Sequence, residues 1–218
     1  MKKIRFPSSV LALCIALGAL SLQGCVEMAV VGVGAGAAAM SAFDRRSTGV
    51  QIDDEGIELR ATNRVSERFG DRVHVNITSF NRSVLLTGEV PNEAAKAEIE
   101  KIATGAGNVR GVTNDLQVAG GTSLSSRASD ATITGKVKAR FLDANRFNTL
   151  YVKVVTEAAV VYLMGIVTET EANEAVEVAR TTGGVRKVVK LFEYCKPTDE
   201  VCRVTPPPPP PKGGRPVQ

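Results

Sequence analysis

The chain has 218 residues, 44% of them apolar, and its 27 basic and 23 acidic side chains leave a net charge of +4. That is room for one mid-sized domain or two small ones, with too much apolar content for global disorder and too little charge for a nucleic-acid binder that works by bulk electrostatics. With no Trp and a single His, neither a His-based metal cluster nor a Ser–His–Asp triad is expected, and no cofactor.

The first 24 residues hold three basic groups, Lys2, Lys3 and Arg5, and no acidic one. Val10 to Leu22 is an apolar run of 13 residues, short for a bilayer span and right for the core of an export signal. It ends at Leu22-Gln23-Gly24-Cys25, which resembles a bacterial lipobox. The resemblance implies a signal over 1–24, cleavage before Cys25 and acylation of that cysteine. One acyl chain gives marginal, reversible attachment, whereas three anchor a protein essentially permanently. Val26 stands where inner-membrane retention would call for Asp, so the resemblance favours the outer membrane, with the folded part facing the periplasm.

Residues 25–51 read as a lipid-anchored tether, too weakly hydrophobic for a second span. Cys14 leaves with the signal and Cys25 is acylated. Cys195 and Cys202 remain, six residues between them, and an oxidising periplasm makes a small disulfide loop the expectation.

The middle of the chain repeats itself. Val84-Leu85-Leu86-Thr87-Gly88-Glu89-Val90 returns as Val161-Tyr162-Leu163-Met164-Gly165-Ile166-Val167, an Ala/Glu-rich stretch follows each time, and Gly107-Asn108-Val109-Arg110 matches Gly183-Gly184-Val185-Arg186. In the first copy, over 52–119, Ile57, Ala61, Val65 and Phe69 are spaced by four and predict one face of a helix. Val73 to Thr78 alternates at period two, a turn at Asn81-Arg82 leads to a strand over 84–90, and Pro91-Asn92 opens a second helix with Ala95, Ile99, Ile102 and Ala103 on one face. A last strand runs over about 109–118. A Gly- and Ser-rich linker over 120–129 precedes the second copy, 130–195, whose first helix (131–144) carries Ile133, Val137 and Phe141. The tail, 196–218, contains six prolines from Pro206 to Pro211 and predicts a stiff polyproline II spacer. The fold class is therefore α+β: two tandem αββαβ units, each a three-stranded mixed sheet packed on two helices.

The apolar-Gly-apolar strand, the acidic Ala-rich helix and the Gly-Val-x-x-Val closing strand resemble the BON domain family over roughly 41–195. Gly88 and Gly165 are the matching strand glycines, and Asn114 matches an Asn frequent late in the domain. Two copies behind a lipobox look like two-BON-domain outer-membrane lipoproteins. The resemblance implies a non-enzymatic role: binding phospholipid and maintaining the envelope, in some members at the division site.

Differences between the copies show where their tasks diverge. On the non-core strand face, copy one holds His74, Asn76, Thr78, Thr87, Glu89, Thr113, Asp115 and Gln117, a polar face expected to be solvated, with His74 a surface residue. Copy two holds Tyr151, Lys153, Val155, Tyr162, Met164, Ile166, Val189, Leu191 and Glu193 there, a largely apolar face expected to be covered either by copy one or the tail, or by a partner protein. Copy one has eleven acidic and eight basic residues, whereas 120–195 has eight and ten. Anionic phospholipid, phosphatidylglycerol-like, should prefer the second copy, where each basic group near such a surface contributes about 1 kcal/mol. Its first helix offers Lys136 and Arg140 beside the core face, and Lys138 with Leu142 on the outer side. The resemblance points to the same helix. The competing class is an adaptor for envelope-assembly or cell-wall proteins, working through the apolar face of copy two.

Overall fold

The computed structural model describes residues 44–121 and 123–203; the expected signal, Cys25, the tether as far as residue 43 and the proline run lie outside them. In the first unit, α1 (Thr48–Phe69) leads through a short 3₁₀ turn into the hairpin β1 (His74–Phe80) and β2 (Ser83–Val90), then α2 (Glu93–Thr104) and a closing strand in two pieces, β3 (Gly111–Asn114) and β4 (Gln117–Val118). The second unit repeats the order with α3 (Leu124–Ala144), β5 (Val152–Glu157), β6 (Val160–Val167), α4 (Glu169–Arg180) and an unbroken β7 (Lys187–Tyr194). In each sheet the hairpin is antiparallel and the closing strand runs parallel to the central one, the long return being made by the second helix.

Both first helices start earlier than composition indicates. Ser47 accepts from the Val50 N–H at 3.3 Å and opens α1 inside the expected tether; Ser123 does the same for Ser126 and opens α3 inside the expected linker. Serine-rich stretches read as loop because their hydroxyls compete for backbone groups, yet one serine at the N-cap turns that tendency into a helix start. The break in the closing strand of the first sheet belongs to Asn114, whose Oδ1 accepts the Leu116 N–H at 3.2 Å while Leu116 is fully buried in the core below. The register survives the break: Leu86 faces Asn114 and Glu89 faces Gln117.

Each unit buries its own core between the helices and the inner strand face. Ile57, Ala61, Val65 and Phe69 of α1 meet Val84, Leu86 and Val90 of β2 and Ala95, Ile99 and Ala103 of α2. Ile133, Val137 and Phe141 of α3 meet Val161, Leu163 and Val167 and the alanines of α4. The strand glycines allow a close crossing: a Cβ on Gly88 (φ 115°) would run into the carbonyl oxygen of His74, and one on Gly165 into that of Tyr151.

A buried aspartate ties helix to hairpin in both units. Asp54 accepts from the N–H groups of Asn81 (2.8 Å) and Arg82 (2.6 Å), and Asp130 from those of Ala158 (3.0 Å) and Ala159 (2.8 Å). These four turn residues have positive φ, from 48° to 63°, the two-residue geometry that matches strand twist.

The two sheets stack outer face to outer face. Phe80 and Leu85 of the first are buried with Tyr162, Met164 and Ile166 of the second, and Val155, Val189 and Leu191 pack around them. The polar outer face of copy one, expected to be solvated, is thus covered on its central strand, where Thr87 is 1% exposed and Glu89 5%, while Asn76, Thr113 and Gln117 on the flanking strands stay exposed. No helix among the described residues is long and apolar enough to cross a membrane.

Candidate functional site

Two regions hold the residues singled out by sequence: the outward flank of α3 and the seam between the sheets. On α3 the 3.6-residue period buries Ile133, Val137 and Phe141 and leaves Lys136, Lys138 and Leu142 exposed, Leu142 by 65%. Arg140 is not part of that free flank. Its Nη1 donates to the Val178 carbonyl at 3.1 Å and to Thr182 Oγ1 at 2.9 Å, capping the last turn of α4. A cation there joins the Thr181 and Thr182 hydroxyls on that carbonyl and complements the negative helix end. Sequence spacing places Arg140 on the right side of α3 but cannot show which neighbour claims its guanidinium.

The seam takes Val155, Tyr162, Met164, Ile166, Val189 and Leu191, so the apolar face of copy two is an interface within the chain. Tyr151 departs from that set. It lies in the 3₁₀ turn Thr149–Tyr151, packs on the second core and carries the Arg45 guanidinium 3.7 Å above its ring. Polar links frame the apolar patch. Tyr162 donates to Asp115 at 2.6 Å, Asn81 and Arg110 donate to Glu193 at 2.8 and 3.1 Å, and Lys153 reaches Glu58 at 2.8 Å and the Ser79 carbonyl at 3.2 Å. An apolar centre with a polar rim is the ordinary anatomy of a stable interface. Burial, followed by the Asp115 bond, pushes the Tyr162 phenol well above its ordinary value, so it stays a neutral donor.

His74, read from sequence as a surface residue away from acids, sits at one edge of this seam. Its Nδ1 is 3.0 Å from Glu89 Oε2, its cross-strand partner, and Glu157 of the second unit closes the group. The Glu157 carboxylate accepts from Asn76 Nδ2 at 2.7 Å. The acids were invisible from His74 in sequence because one is fifteen residues away across a hairpin and the other belongs to the second copy.

Sequence reasoning also missed Arg45 and Arg46. Arg45 pairs with both oxygens of Glu171 (2.6 and 2.9 Å) and donates to the Ile166 carbonyl at 2.9 Å, all in the second unit. Arg46 bonds Asp44 and Asp54 and lies 4.2 Å over the Phe80 ring, in the first. Burial works to raise the Glu171 carboxyl, but the bonds from Arg45 and Thr168 outweigh it and hold it below its usual range. The Arg45-Arg46 pair flanking the folded region was the available signal. Cys195 and Cys202 are joined in a disulfide, Cα atoms 6.2 Å apart, closing the short loop after β7.

The BON domain family matches residues 53–120 and 129–196. The outer membrane lipoprotein DolP of Haemophilus influenzae is 40% identical over 185 residues, 84% of this chain and 95% of its own length. The 21 kDa hemolysin of Actinobacillus pleuropneumoniae is 32% identical over 153 residues, 69% of this chain and 79% of its own. The osmotically-inducible protein Y of Escherichia coli is 30% identical over 117 residues, 52% of this chain and 58% of its own.

Proposed function

Because this chain belongs to the BON domain family and is an outer-membrane lipoprotein with two copies of that domain, we propose that it binds anionic phospholipid through the outer flank of α3 and so supports envelope integrity. One observation carries the reading: Lys138 and a 65% exposed Leu142 share the outer side of α3, which nothing in the described chain covers, and exposed Lys136 stands at the other edge of the helix, while the other apolar face of the second unit is closed by the first. The Lys138 ammonium can meet a headgroup phosphate while Leu142, one turn on, dips toward the acyl chains, and Lys136 adds positive charge to the same helix. Membrane attachment through Cys25 would hold this flank at high effective concentration near headgroups, so modest intrinsic affinity suffices. The same closure removes the face that an adaptor for envelope-assembly or cell-wall proteins was expected to use.

The test is co-sedimentation of the acyl-free Cys25→Ala chain with phosphatidylglycerol and with phosphatidylethanolamine vesicles. Binding should favour phosphatidylglycerol and weaken as salt rises, since exposed charges are screened beyond about 10 Å at 0.1 M. Replacing Lys136, Lys138 and Leu142 together should abolish the preference with the fold intact. Equal binding to both lipids, or a triple variant that still discriminates, would overturn the reading.

A further inference from the structure

We propose that His74, Glu89 and Glu157 form a site for one divalent transition-metal ion, Zn²⁺ by the chemistry of the donors, bridging the two sheets at the edge of their seam. His74 is the first residue of β1, Glu89 lies opposite it on β2, and Glu157 is the last residue of β5 in the second unit. One ligand atom from each lies within 4.8 Å of the others. In a tetrahedral Zn²⁺ site with bonds of about 2.1 Å, ligand atoms stand roughly 3.4 Å apart. The His74–Glu89 separation of 3.0 Å is already near that value, and a Glu157 oxygen lies within 4.8 Å of both. Asn76 donates to Glu157 Oε2, the kind of supporting contact that orients a metal-binding carboxylate.

Glu89 and Glu157 are 5% and 6% exposed, so both carboxylates of the group are withdrawn from bulk water. Arg127 lines the clefts on either side of His74. Asp130 also borders one of these clefts, but both its oxygens are engaged by the hairpin turn. An imidazole with two carboxylates suits Zn²⁺ and its neighbours; Ca²⁺ and Mg²⁺ favour all-oxygen cages, and Cu(I) asks for sulfur. The clefts, of 410 and 350 Å³, give the ion an entry path and leave its fourth position to water. Among the described residues the site occurs once. Tyr151 stands in the second unit where His74 stands in the first, the two sharing the same approach to a strand glycine. With ligands from both units, the ion would fasten one sheet to the other.

The full-length protein in detergent, stripped with a chelator, is titrated with ZnCl₂ by calorimetry, and its unfolding midpoint is followed by circular dichroism. One equivalent should bind and raise the midpoint. Glu157→Gln, which keeps the side-chain shape, should weaken that binding by at least about tenfold and lose the rise. Should Glu157→Gln fail to fold, His74→Gln at the less buried ligand gives the same reading. Absence of saturable binding, or a variant that binds as tightly as the parent, overturns the proposal. No vesicle enters the measurement, so its failure leaves the lipid reading untouched.

Discussion

At the scale of single residues, the molecule depends on charged groups that stand on the buried face of a helix. Asp54 and Asp130 each stand three positions before the first core residue of their helix, and each satisfies two N–H groups of a tight turn. That shared offset in the two copies was visible in the chain, but an acid near a helix start ordinarily reads as a solvated cap. Ala158 and Ala159 show what the aspartate achieves: alanine rarely tolerates positive φ, and Asp130 holds two in succession. Glu171 carries a pH signature. In the folded chain it releases its proton more readily than in the unfolded chain, so the stability it adds is complete above the unfolded carboxylate value of about 4.3 and is lost as pH falls through the lower folded one. Urea midpoints measured at about pH 6 and about pH 3 should therefore fall less in Glu171→Gln than in the parent.

At the scale of elements, periodicity was legible wherever one face meets one core. The buried apolar residues of α1, α2 and α3 are those that the four-residue spacing marks out. Boundaries were less legible, because Ser47 and Ser123 decide them and serine serves caps and loops alike. The flanks of α3 separate structural from exposed cations in a way that spacing cannot. Arg140 reaches carbonyl and hydroxyl acceptors at the end of α4, whereas Lys138 faces solvent. Arg140→Ala should cost about 1–3 kcal/mol in chemical denaturation, because it removes two hydrogen bonds made by a charged donor. Lys138→Ala should shift stability by less than about 0.5 kcal/mol and act on vesicle binding alone.

At the scale of the whole molecule, what the sequence could not display is the joining of unlike faces. The second unit's apolar face announced that something covers it, but the first unit's face is polar by composition and gave no sign of being the cover. Phe80 and Leu85 supply the apolar contact, and the polar groups around them find partners across the seam. Met164→Ala should therefore destabilise the protein by about 2–5 kcal/mol although it lies in neither unit's own core, and calorimetry should show the single transition of the parent broadening or splitting. The arginines at the chain's entry give this joint a mechanical meaning. Tension along the chain ahead of Asp44 meets two clamps before it reaches α1: Arg45 on Glu171, and Arg46 on Asp54. Load from that side divides between the two halves at the first described residues, so a pull along the chain is shared by both units before it reaches the first helix.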